Sequence, residues 1–180
     1  MFAIQWLCIL AKVSNIPMQK EYHIRPVQLQ DNKPLAHVLR EVLVEFGVPK
    51  VGTAYADPEL DDMFHTYTKK RHSYWVVHKD NSVLGGAGIA PLRDGPANIC
   101  ELQKMYFAPE ARHVGMGKRM LLQLLKIAIE FGFELCYLET MPNMHAAQRL
   151  YTDAGFGYVD APIGNTGHYS CPVWMTKSLV

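Results

Sequence analysis

The segment Arg112-His113-Val114-Gly115-Met116-Gly117-Lys118 constrains this chain more than any other stretch. It stands between a β-like run ending at Phe107 and the clearest amphipathic pattern in the sequence. Met120, Leu121, Leu124, Leu125, Ala128 and Ile129 keep helical spacing and predict a helix over 115–131, closed by Gly132. A strand that turns through glycines into a helix gathers unpaired backbone N–H groups and a partial positive charge in one place. Gly115 and Gly117 let a ligand approach that backbone, and Arg112, His113, Lys118 and Arg119 add positive potential. A pyrophosphate suits this arrangement. A glycine turn with solvated basic residues is the plainer alternative, and spacing alone does not separate the two. Two familiar phosphate motifs are excluded. A Walker loop needs GxxxxGK[ST], but Lys118 is followed by Arg119 and position 112 is arginine. A dinucleotide fingerprint needs a third glycine where this chain has Met120.

Strand and helix patterns alternate around this loop. Residues 22–29 suit a first strand, with Pro26 marking an edge or kink. Asp31 or Asn32 caps a helix with Pro34 in its first turn, and Leu35, Val38, Leu39, Val42, Leu43 and Phe46 supply its apolar face. Residues 48–56 read as a loop, and Asp57-Pro58 opens a short helix that includes Leu60, Met63, Phe64 and Tyr67. Runs 73–78, 83–92 and 98–107 predict an antiparallel meander. A strand at 133–139 and a helix at 143–154, stopped by Gly155, come next. Two strands at 156–159 and 168–177 follow, joined by a GNTG turn at 164–167. The order β-α-α-β-β-β-α-β-α-β-β predicts a mixed α/β (α+β) domain.

Composition narrows the function classes. The 180 residues fit a single domain over 21–180, preceded by an apolar extension, 1–20, whose role is open. A net charge of +1 gives no reason to expect nucleic acid or an anionic membrane as partner. No apolar run reaches the roughly 18–20 residues of a membrane span. Met1–Ala11 is apolar, but Lys12 follows it where a signal peptide carries charge first, and no cleavage site precedes Pro17. The expectation is an uncleaved extension, or a start at Met18, in a cytoplasmic protein. Cys8, Cys100, Cys136 and Cys171 are far apart with no CxxC, and the histidines are scattered, which predicts reduced thiols and no metal.

Three pieces in order resemble the GCN5-related N-acetyltransferase (GNAT) superfamily. They are ELQKMYFAPEAR at 101–112, Arg112-x-x-Gly115-x-Gly117, and Asn143-x-x-Ala146-x-x-x-x-Tyr151-x-x-x-Gly155-Phe156. The resemblance spans residues 22–177. It implies the GNAT-like acyl-CoA N-acyltransferase fold: a mostly antiparallel twisted sheet of about seven strands, helices on both faces, and strands 4 and 5 splayed around the cofactor. It implies acetyl-CoA as co-substrate and transfer to a primary amine by direct attack in a ternary complex.

The resemblance also assigns roles. The main chain of Met105, Tyr106 and Phe107 would bind pantetheine and the acetyl carbonyl, residues Arg112 to Lys118 the pyrophosphate, and Asn143 the pantetheine arm. Tyr151 would protonate the leaving thiolate and Glu101 would be general base, with Glu139 a weaker rival. Tyr55, Asp57, Asn165, His168 and Tyr169 would face the acceptor, a small-molecule or protein amine. Homodimers are frequent in the family. Plainer roles stand beside each: Asn143 as a helix cap, Tyr151 as a core aromatic, Glu101 as a solvated strand residue or ion-pair partner, and GNTGHY as a tight turn. A non-catalytic acyl-CoA sensor or a protein-interaction module is the competing function. A sensor would keep the 112–117 loop and Asn143 but would not need Tyr151 and Glu101.

Overall fold

The computed structural model describes residues 21–180. The apolar segment 1–20, the Met18 alternative and Cys8 lie outside the described residues.

Eleven elements follow the sequence pattern closely. They are β1 (His23–Pro26), α1 (Asn32–Glu45), α2 (Met63–Thr66), β2 (Ser73–Lys79), β3 (Ser82–Pro91), β4 (Ile99–Phe107), α3 (Met116–Glu130), β5 (Leu135–Thr140), α4 (His145–Asp153), β6 (Gly157–Val159) and β7 (Val173–Ser178). The seven strands form one sheet in the order β1-β2-β3-β4-β5-β7-β6. Every neighbouring pair is antiparallel except β4 and β5, which the α3 crossover makes parallel. No described helix is long and apolar enough to cross a membrane.

Helices cover both faces of the sheet. The stripe Met120, Leu121, Leu124 and Ala128 of α3 packs on Val77, Ala87, Ile89, Cys100, Leu102 and Cys136. On the other face Leu35 and Leu39 of α1, with Leu60, Met63 and Tyr67, pack on Tyr74, Val76 and Ala90. Leu124 is fully buried, so truncating it to alanine should cost about 2–5 kcal/mol.

Two features of β4 set up everything that follows. It pairs with β5 only over Ile99–Glu101 against Leu135–Tyr137, although it runs on to Phe107. Beyond Glu101 the two strands are no longer paired, and a slot opens between them. Against β3, the register steps from Gly86↔Tyr106 to Gly88↔Gln103, so β4 carries an extra residue there. Lys104 occupies this bulge at φ +51°. The bulge reverses the side-chain alternation. Cys100 and Leu102 face α3 before it, and Met105 and Phe107 face α3 after it.

Three expectations need correcting. The last strand begins at Val173, not at His168. Residues 168–172 are instead held in a turn, Cys171 N donating to His168 O (2.9 Å) and Ser170 N to Gly52 O (3.0 Å). Ile129 is exposed, because the buried stripe of α3 starts one turn earlier, at Met116. Glu101 does lie on the face opposite Cys100 and Leu102, but α1 and α2 cover that face, so it is not solvated.

Candidate active site

The slot between the diverging strands continues into a cleft of about 330 Å³. Met105, Tyr106 and Phe107 form one wall, Arg112, His113, Gly115, Gly117 and Lys118 one end, and Met144, Ala147, Leu150 and Tyr151 the opposite wall. Val42 and Phe46 from the end of α1 also line it. The backbone, strand-end and Tyr151 positions expected from the sequence therefore meet in one place.

The loop 112–117 turns sharply. His113 and Gly115 have φ +58° and +82°, the left-handed region that places Gly115 as the N-cap of α3. The first helical hydrogen bond runs from Arg119 N to Gly115 O (3.1 Å), so the earlier amides of the helix have no partner within it. Gly117 has ordinary helical backbone, and a Cβ there would project toward Leu150, Met105 and Phe107, all cleft-lining side chains. Met116 is buried and anchors the loop in the core, while Val114 is exposed. Neither side chain lines the cleft.

Arg112 lines the cleft and its side chain is also tied to α1. Its guanidinium forms a two-pronged pair with Glu45 (2.6 and 2.6 Å), donates Nε–H to Phe107 O (2.7 Å) and lies over the Phe46 ring. It fastens the end of α1 to the loop, which leaves Lys118 as the cleft-lining cation without that tie, with His113 beside it. Asn143 does not cap α4, whose N-cap is Met144. Its side chain donates to Phe46 O (2.9 Å). Both motif side chains thus grip the C-terminal end of α1.

Tyr151 is 6% exposed and packs against Phe156. Burial, with a smaller contribution from Cys136, holds its hydroxyl pKa well above the usual phenol range, so it stays protonated. Glu101 is 3% exposed. Burial raises its pKa, opposed by a hydrogen bond from Gln103 Nε2 (2.7 Å) and by the nearby charges of His168 and Lys104. Glu139, the rival base, has both oxygens engaged, accepting from Tyr137 Oη (2.7 Å) and Thr166 Oγ1 (2.9 Å).

A cluster absent from the motif lies beside Glu101. The Lys104 side chain, 6% exposed, places Nζ 2.6 Å from Asp57 Oδ2. His168 Nε2 lies 3.1 and 3.2 Å from the same carboxylate. Burial pushes the Asp57 pKa up, but the His168 hydrogen bond and the Lys104 charge outweigh it and bring it to about 2. The cluster joins the loop before α2 to the loop before β7, and Ser170 Oγ donating to Val51 O (3.1 Å) reinforces the junction. The other acceptor-side expectations scatter. Tyr55 lines a separate groove on the outer side of α1. Asn165 N donates to Arg93 O (2.9 Å), and Arg93 Nε donates to Asn165 O (2.6 Å). Tyr169 is 78% exposed, its ring lying over Gly52. Lys104 and Gln103 were not singled out from the sequence, because nothing in it signals a bulge at a lysine. Among the described residues, no group of three His, Cys, Asp or Glu is placed to hold a metal ion.

Comparison with known proteins agrees with this geometry. The chain is 43% identical over 157 residues to the Escherichia coli (strain K12) protein "Uncharacterized N-acetyltransferase YjgM", covering 87% of this chain and 94% of the relative. Its fold is similar to that of an acetyltransferase of the GNAT family from Staphylococcus aureus Mu50, with a TM-score of 0.78 at 20% identity, covering 89% of this chain and all of that one (100%). It is also similar to a GNAT superfamily phosphinothricin acetyltransferase from Sinorhizobium meliloti in complex with AcCoA. There the TM-score is 0.68 at 22% identity, with coverage of 87% and 88%. The profile of the Acetyltransferase (GNAT) family matches residues 36–156. A slot between parallel strands that part beyond Glu101, running from a glycine-turned helix end past Tyr151, is therefore carried by a chain that belongs to the GNAT family of N-acetyltransferases.

Proposed function

We propose that the chain transfers an acetyl group from acetyl-CoA to a primary amine by direct attack within a ternary complex. The observation that carries this reading is the parting of β4 and β5 beyond Glu101, with a buried carboxylate at one end and free helix amides at the other. The similar Sinorhizobium acetyltransferase holds AcCoA, and the cleft here has the lining such a cofactor needs. The pyrophosphate would rest on the first amides of α3 beside Lys118 and His113. The pantetheine arm would run along Met105–Phe107, where β4 has left β5 and its main chain is free of that partner.

The acceptor arrives as an ammonium and must lose a proton before it can attack. Glu101 takes that proton, directly or through a water, and its raised pKa makes it a stronger base than an exposed glutamate. The amine nitrogen then bonds to the thioester carbon, main-chain N–H groups of β4 stabilise the oxyanion, the nitrogen sheds its second proton to water, and the C–S bond breaks. Tyr151 donates to the departing thiolate. No enzyme nucleophile is required. Lys104 and His168 would border the acceptor, since both act on Glu101, and Asp57 pairs with them.

Calorimetric titration with acetyl-CoA, and with CoA, ATP and NAD as controls, tests the cofactor. Selective binding of the CoA compounds is expected, followed by an amine screen that detects thiol release. Absence of acetyl-CoA binding would overturn the proposal. With an acceptor in hand, Glu101→Gln should remove the acidic limb of the kcat/KM profile. A retained limb would exclude Glu101 as base.

A further inference from the structure

Two residues next to the base have no role in the mechanism above. Gln103 lies two positions after Glu101 on the same face of β4, and its Nε2 donates to Glu101 Oε2 at 2.7 Å. Tyr67, just beyond α2, donates from Oη to Gln103 Oε1 at 2.6 Å. The phenol decides which way the amide points. Burial raises the Tyr67 pKa far enough that the hydroxyl remains a donor. The amide oxygen then turns toward Tyr67 and the amide NH2 toward the carboxylate. That orientation suits ionised Glu101, which accepts, and it engages one carboxylate oxygen while leaving Oε1 for the acceptor or its water.

The fold makes room for this chain of hydrogen bonds. Gly88 of β3 pairs with Gln103. A Cβ at 88 would lie 2.9 Å from Tyr67 Cε1 and 2.5 Å from Tyr74 Cδ2, so a side chain there would push both rings off the sheet. The bulge at Lys104 follows immediately, so Glu101 and Gln103 share a face just before the alternation reverses.

We infer that Gln103 and Tyr67 are positioning residues for the acceptor's base, Tyr67 orienting the Gln103 amide and the amide holding the Glu101 carboxylate ionised and aimed. The inference rests on Glu101 being that base. Other charged groups act on Glu101 too. Lys104 of β4 and His168 of the loop before β7 favour the carboxylate, and Glu139 of β5 opposes it. Tyr106, Tyr137, Cys136 and Cys171 border it as well. Their pKa values are all pushed up, Cys171 to about 12, so they carry no charge near neutral pH.

The test reads Glu101 itself and needs no acceptor. Protein carrying 13C-carboxyl glutamate is titrated by NMR, with Glu101→Gln identifying the Glu101 signal. Gln103→Met, similar in shape without the donor, should move the Glu101 titration up by about one pH unit. Tyr67→Phe should move it the same way by about half as much, and it serves alone should Gln103→Met not fold. Acetyl-CoA affinity should stay unchanged in both, since neither residue lines the cleft. An unmoved Glu101 titration in the folded variants overturns the inference. Loss of the base assignment would show separately, as a kcat/KM profile whose acidic limb survives Glu101→Gln.

Discussion

Gly117→Ala separates binding from stability at one position. Gly117 is the second residue of α3 and has no positive φ, so alanine meets no backbone strain. Its Cβ would lie 3.3 Å from Leu150 Cδ2 and 3.8 Å from Met105 Cε and Phe107 Cε2, all ends of flexible side chains. Alanine also favours the helix over glycine by up to about 1 kcal/mol. The melting temperature should stay level or rise by about 1–3 °C. Ligand binding should move the other way. The new methyl stands where a phosphate would approach the helix amides. Loss of one charge-assisted hydrogen bond costs about 1.5–3 kcal/mol, or roughly 10- to 150-fold in Kd. Calorimetric titration with acetyl-CoA and a thermal melt on the same preparation read both signs. Undiminished affinity would refute the placement of the pyrophosphate, and a fall of more than about 5 °C would refute the packing argument. Gly115→Ala is the contrast. Nothing lies within 4 Å of its Cβ, but φ is +82°, so it should lose about 1–2 kcal/mol of stability through strain alone.

The other expectations concern the chemistry and its supports. Tyr151→Phe should lower turnover about 100-fold or more while acetyl-CoA affinity stays within about twofold, measured by thiol release and titration; unaltered turnover would remove Tyr151 as donor. Asp57→Asn leaves the buried Lys104 ammonium without its carboxylate and should cost about 2–4 kcal/mol in urea unfolding at pH 7; a loss under about 0.5 kcal/mol would mean the pair is not a support. The Asp57 pKa falls from 3.8 to about 2 on folding, so its contribution is fully present above pH 3.8 and disappears as pH drops through about 2. Acid unfolding of wild type should therefore be steeper in that window than for Asp57→Asn.

Much of the architecture was legible because it depends on short-range patterns. Helical spacing located α1 and α3 within a residue or two, and alternation with turn residues located β2, β3 and β4. The errors fell where local pattern competes with packing. His168–Ser170 read as strand, yet their main chain bonds to Gly52 and within the turn instead of to a neighbouring strand. Asn143 suits a helix cap by composition, but its amide is taken by Phe46 O, almost a hundred residues earlier in sequence. Arg112 stands at the head of the loop. Its pairing with Glu45 is invisible in the sequence, because no spacing rule links the end of α1 to that loop.

By itself the sequence determined the order of elements, the glycine turn into α3 and the placement of Tyr151 in the second turn of α4, all properties of neighbouring residues. The tertiary structure decided how the site is charged. The bulge at Lys104 arises from the register between β3 and β4, and the burial of Glu101 from helices packing over that face. The cluster of Asp57, Lys104 and His168 forms only when two distant loops meet over the sheet. A pKa is set by the burial and charges around a group in space, so no reading of adjacent residues could have supplied it.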